Sequence, residues 1–278
     1  MTSVNEIRKI GVIGAGTMGG GIAQVFALYD YEVILVDTEE AILQKALEKL
    51  KKFTDPDLWN KVSSLIVTST DLEKLKDCDL IIEAVFEDIS AKKEVFKSIN
   101  SVCKKTTIIA TNTSSISINK LAVEVSDTSR FIGMHFMNPP KVMKLVEIVR
   151  GEKTSEETVE AITELIKRLD KIPAVVNDSP GFVSNRLLFA LIGEAIKLLE
   201  KAVATKEDID TVMKHGMNHP MGPIKLADFI GLDVCLDIMQ VIYDNLNDDR
   251  YKPSQLLETL VRDGKLGKKT GEGFYKYT

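Results

Sequence analysis

Residues 9–26 read KIGVIGAGTMGGGIAQVF, an apolar run that breaks into a glycine-rich turn and resumes with helical character. Gly14, Gly16 and Gly19 make a GxGxxG pattern. Each glycine has its own reason in a strand–turn–helix unit. The first permits the tight turn, the second lets backbone approach a pyrophosphate, and the third lets the helix sit close on the strand. Thr17 and Met18, at the head of that helix, bring N–H groups and the positive end of a helix dipole to the phosphates. Glycines in such a turn are often only a turn, so the context decides. A second strand, EVILVD, comes after the helix, and Asp37 stands eighteen residues beyond Gly19. An acid there hydrogen-bonds adenosine ribose hydroxyls and repels a 2′-phosphate. The expected ligand is a dinucleotide, NAD rather than NADP.

The same alternation continues along the chain. Short apolar strands (DLIIEAV, TIIATNTSS, RFIGMHFMNPP, MKLVEIV) alternate with amphipathic segments, as βαβ units require. Strands dense in Ile and Val predict a parallel sheet covered on both faces. EEAILQKALEKLKKF is a helix with Ile42, Ala46, Leu50 and Phe53 on one face, and SEETVEAITELIKRL with KIPAVVNDSPG adds one more helix and strand. Beyond Pro180 the pattern turns helical, through SNRLLFALIGEAIKLLEKA, KEDIDTVMKHG, GLDVCLDIMQVIYDNL and PSQLLETLVRDG. The expected fold class is α/β: a Rossmann-type, doubly wound, mainly parallel sheet domain over residues 1–179, then an all-helical domain over 180–278.

The chain has 278 residues and a net charge of −5, which argues against a general nucleic-acid footprint. Cys78, Cys103 and Cys235 are widely spaced with no CxxC pair, so neither a disulfide framework nor a zinc site is expected. His215 and His219 are four apart, but Gly216 and Pro220 argue against a continuous helix there, and no metal is expected. No uninterrupted apolar run reaches the ~18 residues of a membrane span. The N-terminal stretch has no signal character and the last three residues are not a peroxisomal address, so a reducing cytoplasm is expected.

His135 sits at the end of a strand in GMHFMNPP, where ligands bind such sheets. Twelve residues on, Glu147 is an acid among apolar strand residues in MKLVEIV. A buried carboxylate is costly unless paired. A His135–Glu147 pair across neighbouring strands would resolve that cost and fix the imidazole tautomer for general acid–base work. In TNTSS, Ser114 reads equally as loop chemistry and as a ligand-edge hydroxyl. Asn185, at the start of the helical half, reads equally as a cap and as a site amide. Glu87 and Lys92, after a strand and at a helix start, are ordinarily solvated, although Lys92 can reach cofactor hydroxyls or phosphate. Lys51 and Lys52 form a basic helix end, solvated by default and able to meet an anionic ligand tail.

With these residues assembled, the chain resembles the L-3-hydroxyacyl-CoA dehydrogenase family, in particular its short bacterial members acting on 3-hydroxybutyryl-CoA. The resemblance is carried by IGVIGAGTMGGGIAQVFA, LIIEAVFED, TNTSSISI, GMHFMNPPKVMKLVEIV, SPGFVSNRLL, NHPMGPIKLADFIGLDVCLDIM and GKKTGEGFYKY, in order along nearly the whole chain. It implies that His135 is the general base, oriented by Glu147, and that Ser114 and Asn185 hydrogen-bond the reacting end of an acyl-CoA substrate. It implies further that Asn138 shapes the nicotinamide site, and that Asp37, Glu87, Lys92, Ser114 and Lys269 contact NAD. The same resemblance implies a homodimer through the helical domain.

Two departures stand out. The helical hairpin after Asp37 is shorter than the family's, which leaves Lys51 and Lys52 only as candidates for the CoA tail. Lys141 stands where a proline is more usual. The short hairpin sustains a rival expectation, a dehydrogenase of free 3-hydroxy acids resembling L-gulonate 3-dehydrogenase, with Arg186 as the one obvious carboxylate partner. A rival of another class is a non-catalytic dinucleotide-binding or structural protein.

Overall fold

The computed structural model describes residues 7–277, and the chain divides into two units, Met1–Asp178 and Ser179–Thr278. Most of the N-terminal stretch and Thr278, on which the expected compartment rests, lie outside the described residues.

In the first unit, β1 (Lys9–Ile13) enters the glycine turn and α1 (Thr17–Leu28) leaves it. Then come β2 (Glu32–Val36), α2 (Glu40–Phe53), α3 (Pro56–Leu65), β3 (Ile66–Ser69), β4 (Leu80–Glu83), α4 (Ile89–Asn100), β5 (Ile108–Thr111) and α5 (Ile118–Ala122). The unit closes with β6 (Phe131–Phe136), β7 (Leu145–Arg150), α6 (Glu156–Arg168) and β8 (Ile172–Asn177). The sheet runs β3-β2-β1-β4-β5-β6-β7-β8. Its first six positions carry the strand order of a dinucleotide-binding sheet, with the order reversing between β1 and β4. All pairings are parallel except β6 with β7. β4, β5 and β6 are buried along their whole length, as a sheet covered on both faces requires.

That covering fails at β8. It is an edge strand with one neighbour, and although α6 packs against it, Ile172 stays 63% and Val175 49% exposed. The apolar run in the sequence gives no sign of this, because edge position is a property of topology.

The hairpin between β2 and β3 is tight. Asp55 caps α3 by accepting from the Asp57 N–H, and Pro56 occupies the first helical position, where its missing N–H costs nothing. Gln24 on α1 donates to Thr54 Oγ1 (2.6 Å), and that hydroxyl donates to Leu50 O (2.6 Å), fastening the hairpin to the glycine-turn helix.

The second unit comprises α7 (Ser184–Glu200), α8 (Lys206–Thr211), α9 (Pro223–Ile230), α10 (Leu232–Leu246) and α11 (Gln255–Arg262) around their own apolar core. Sequence patterning does not single out α9. It is eight residues long, with Pro223 at its start and Gly231 at its end. His215 lies in a π turn over Val212–Gly216, and the His219 N–H donates to Met213 O, so the two histidines do not share a regular helix face. Asp228, fully buried on α9, accepts from the Phe274 and Tyr275 N–H groups and the Tyr277 hydroxyl. One carboxylate thereby ties down the tail that carries Lys269. Among the described residues no helix is long and apolar enough to cross a membrane.

Candidate active site

The glycine turn can be tested by asking what a Cβ would meet. At Gly14 φ is +97°, and a Cβ would lie 2.6 Å from Ala84 O, on the neighbouring strand's exit. At Gly19 it would lie 1.8 Å from Gly14 O, so α1 could not sit so close to its own turn. At Gly16 a Cβ would meet nothing within 4 Å. Gly14 and Gly19 are therefore demanded by the protein, whereas Gly16 faces open space at the head of α1, where a pyrophosphate would approach. No side chain caps α1 and no acid stands in its first turn, which suits an anion there. The residues fit a dinucleotide. Thr17 is exposed and accepts a hydrogen bond from Lys49 Nζ (3.1 Å), while Met18 packs on the core.

Asp37 leaves β2 beside this turn. Its Oδ2 accepts from the Ala15 N–H (2.6 Å) and its Oδ1 from the Thr38 N–H (2.7 Å). The carboxylate thus braces the turn as well as standing where ribose hydroxyls are expected, and two oxygens have lone pairs for both tasks.

His135 and Glu147 are directly opposite each other in the antiparallel β6–β7 register. His135 Nδ1 lies 2.8 Å from Glu147 Oε2, and the side chains are 9% and 2% exposed. The spacing of twelve residues brings them together because the intervening loop reverses the chain about Lys141. Three further hydrogen bonds hold that loop. Lys171 Nζ donates to Pro140 O (2.6 Å) and Met143 O (2.8 Å), and Lys141 Nζ donates to Phe53 O (2.7 Å) at the end of α2. Burial, with Lys144 nearby, holds the Lys171 ammonium below its ordinary value. Asn138 lies exposed on the same loop. Asn112 Oδ1 accepts from the Phe136 N–H (2.9 Å), tying the TNTSS loop to the residue after His135.

Glu87 gathers the TNTSS loop. Its Oε1 accepts from Thr113 Oγ1 (2.5 Å), the Ser114 N–H (2.8 Å), the Ser115 N–H (2.9 Å) and Ser115 Oγ (3.0 Å), with Ser114 Oγ at 3.3 Å. Burial alone would push this carboxyl up; the Lys92 charge and the hydrogen bonds from Thr113, Ser114 and Ser115 outweigh it and hold the group below its ordinary value. Lys92 is not the solvated charge its position suggests. It is 1% exposed, with its ammonium 2.8 Å from Glu83 Oε1, 3.3 Å from Val85 O and 3.4 Å from Glu87 Oε2. Glu83 is a member of this group that sequence reasoning missed. Its signal was available, since it is an acid ending the apolar strand LIIE, the same pattern that marks Glu147.

The remaining candidates make contacts of their own. Lys51 and Lys52 are exposed in the last turn of α2, with Lys52 Nζ 5.9 Å from the Phe53 ring centre. Asn185 is the second residue of α7. Lys269 Nζ is 2.6 Å from both Asp233 oxygens, so its charge is already matched within the second unit. Arg186 donates to Ser179 Oγ (2.9 Å).

Comparison with known proteins finds a match over each of the two units. A family model described as 3-hydroxyacyl-CoA dehydrogenase, NAD binding domain, matches residues 9–179, and one described as 3-hydroxyacyl-CoA dehydrogenase, C-terminal domain, matches 181–277. A probable 3-hydroxybutyryl-CoA dehydrogenase of Deinococcus radiodurans is 49% identical, over 97% of this chain and 100% of its own length. A 3-hydroxybutyryl-CoA dehydrogenase of Clostridioides difficile is 46% identical, over 97% and 99%. The crystal structure of an (S)-3-hydroxybutyryl-CoA dehydrogenase from Ralstonia eutropha superposes with a TM-score of 0.93 at 44% identity, covering 98% of this chain and 99% of that one.

Proposed function

Because the chain belongs to the 3-hydroxyacyl-CoA dehydrogenase family, we propose that it interconverts (S)-3-hydroxybutyryl-CoA and acetoacetyl-CoA with NAD, through a His135–Glu147 acid–base pair. The observation that carries the roles is the buried 2.8 Å contact between His135 Nδ1 and Glu147 Oε2. With Nδ1 donating to the carboxylate, proton exchange with substrate falls to Nε2. In the oxidative direction Nε2 takes the 3-hydroxyl proton as the C3–H bond breaks, and Glu147 stabilises the positive charge the ring acquires. Bound NAD supplies the hydride acceptor. Ser114 is assigned to the reacting oxygen, and the family resemblance assigns Asn185 the same task.

On the cofactor side we assign Gly14, Gly16, Thr17, Met18 and Gly19 to the pyrophosphate, Asp37 to the adenosine ribose, and Glu87, Lys92, Asn138 and Lys269 to further contacts. Lys51 and Lys52 remain the proposed partners of the CoA tail. We place the enzyme in the cytoplasm as a homodimer through its helical half. Exposed Leu187, Val212, Met217 and Phe229 on that half support the pairing, and light scattering at one subunit's mass would refute it. Neither rival expectation gains support from the site. Relatives 46–49% identical are named for the CoA ester, which favours it over the free acid, and a purely structural role leaves the buried His–Glu pair without a purpose.

The test is stereospecific oxidation. The purified protein should reduce NAD with (S)-3-hydroxybutyryl-CoA and leave the (R) epimer untouched; equal rates on both, or on neither, would overturn the assignment.

A further inference from the structure

Glu83 has no part in the proton and hydride steps, yet it is the most deeply placed charge beside the site. It ends β4 and its side chain is 0% exposed. Oε1 accepts from the Val85 N–H (2.7 Å) and from Lys92 Nζ (2.8 Å), and Oε2 accepts from Thr111 Oγ1 (2.7 Å) at the end of β5. Lys92 Nζ in turn stands 3.4 Å from Glu87 Oε2. The other Glu87 oxygen holds the N–H groups of Ser114 and Ser115. A line of contacts therefore runs from the ends of two buried strands, through one ammonium, to the loop that carries Ser114.

We infer that Glu83 is the positioning residue of the cofactor side: its carboxylate fixes Lys92, and through Lys92 it sets where Glu87 holds the Thr113–Ser115 loop. This rests on the reading of Glu87 and Ser114 as cofactor- and substrate-side residues. The physical basis is charge sharing. A buried ammonium needs carboxylate neighbours, and breaking one of its pairs leaves a charge without compensation. Lys92 has two carboxylates within 4 Å among the described residues, Glu83 at 2.8 Å and Glu87 at 3.4 Å. When Glu83 loses its charge, Glu87 is the only counter-charge left of the two. It is drawn toward Lys92 and off the Ser114 and Ser115 amides. Glu83 thus keeps Glu87 facing the loop by satisfying the lysine from the other side.

Glu83→Gln tests this, because glutamine keeps the size and an acceptor while removing the charge. NADH binding is read by fluorescence titration on the folded protein, beside steady-state kinetics. We expect the Kd and KM for NADH to rise together by about tenfold or more, with a smaller fall in kcat. A purely structural role would lower the melting temperature and leave the Kd of the folded protein alone, so a Kd within about twofold of wild type overturns the inference. Should Glu83→Gln not fold, Thr111→Val removes only the hydroxyl on Oε2. A Kd raised about threefold supports the inference, and an unchanged Kd overturns it. Wild-type protein that binds NADH but turns over no acyl-CoA would end the functional reading and leave this comparison intact.

Discussion

Replacing Glu147 with glutamine removes the charge from the proposed acid–base pair while keeping the side chain's size. The two side chains meet at 2.8 Å and are almost fully buried, so water screens their interaction poorly. A bare Coulomb figure, about 6 kcal/mol at that separation with an effective dielectric near 20, is an upper bound. Net of desolvation, a hydrogen bond to a charged group contributes about 1.5–3 kcal/mol. At 1.36 kcal/mol per tenfold, losing it while the imidazolium forms slows turnover roughly 10- to 150-fold. The amide adds a second penalty. Its NH2 can face Nδ1 and impose the wrong tautomer, which in a Ser-His-Asp triad costs about 10⁴. The expected kcat for Glu147→Gln is therefore lower by about 10²–10³, with the Kd for NADH within about twofold of wild type. The fold should survive, because glutamine keeps the size of the side chain and can still hydrogen-bond the imidazole opposite. The assay is NADH oxidation with acetoacetyl-CoA at saturation, with the Kd measured separately. A folded Glu147→Gln protein that keeps kcat within about threefold of wild type would refute the reasoning.

Three other outcomes are expected from the same geometry. Gly16→Ala should leave the melting temperature of the cofactor-free protein unchanged and weaken NADH binding at least about tenfold, whereas Gly19→Ala should lower the melting temperature by roughly 5 °C or more, since its Cβ would lie 1.8 Å from Gly14 O; the reverse pattern would contradict the roles given to these glycines. Burial pushes the Cys78 and Cys235 thiols up to about 12, so a disulfide reagent at about pH 8 should modify at most Cys103 in the native protein and all three thiols after unfolding. Glu87 is held below the ordinary carboxyl value of 4.5, so its contribution to stability is complete above that pH and fades as the pH falls through its folded value. The melting temperatures of wild type and Glu87→Gln should accordingly differ at neutral pH and converge in acid; a constant difference would show that the carboxylate's charge is not what clamps the loop.

Much of this site is local enough to read in sequence. The turn at Gly14 to Gly19 needs only its flanking strand and helix, and Asp37 needs only the next strand. Glu147 betrays itself as an acid in an apolar run, and a strand–loop–strand spacing brings it to His135. What escapes depends on topology. Glu83 carries the same signal as Glu147, but its partner Lys92 lies on the following helix, α4, rather than on a facing strand, so nothing in the spacing announces the pair. Lys92 reads as solvated in sequence because charges at helix starts usually are. The exposure of β8 comes from its place at the edge, which the run IPAVVN does not encode. α9 is only eight residues long; Pro223 at its first position and Gly231 at its end are the available signals.

The most direct measurement is NADH oxidation by the purified protein with acetoacetyl-CoA, run beside free acetoacetate and with NADPH in place of NADH. Rapid turnover on the thioester with NADH, and little with the free acid or with NADPH, is the expected result. It would mean that the short α2–α3 hairpin still leaves a CoA site and that Asp37 selects the cofactor. Turnover on free acetoacetate with none on the thioester would contradict the assignment at its most specific point.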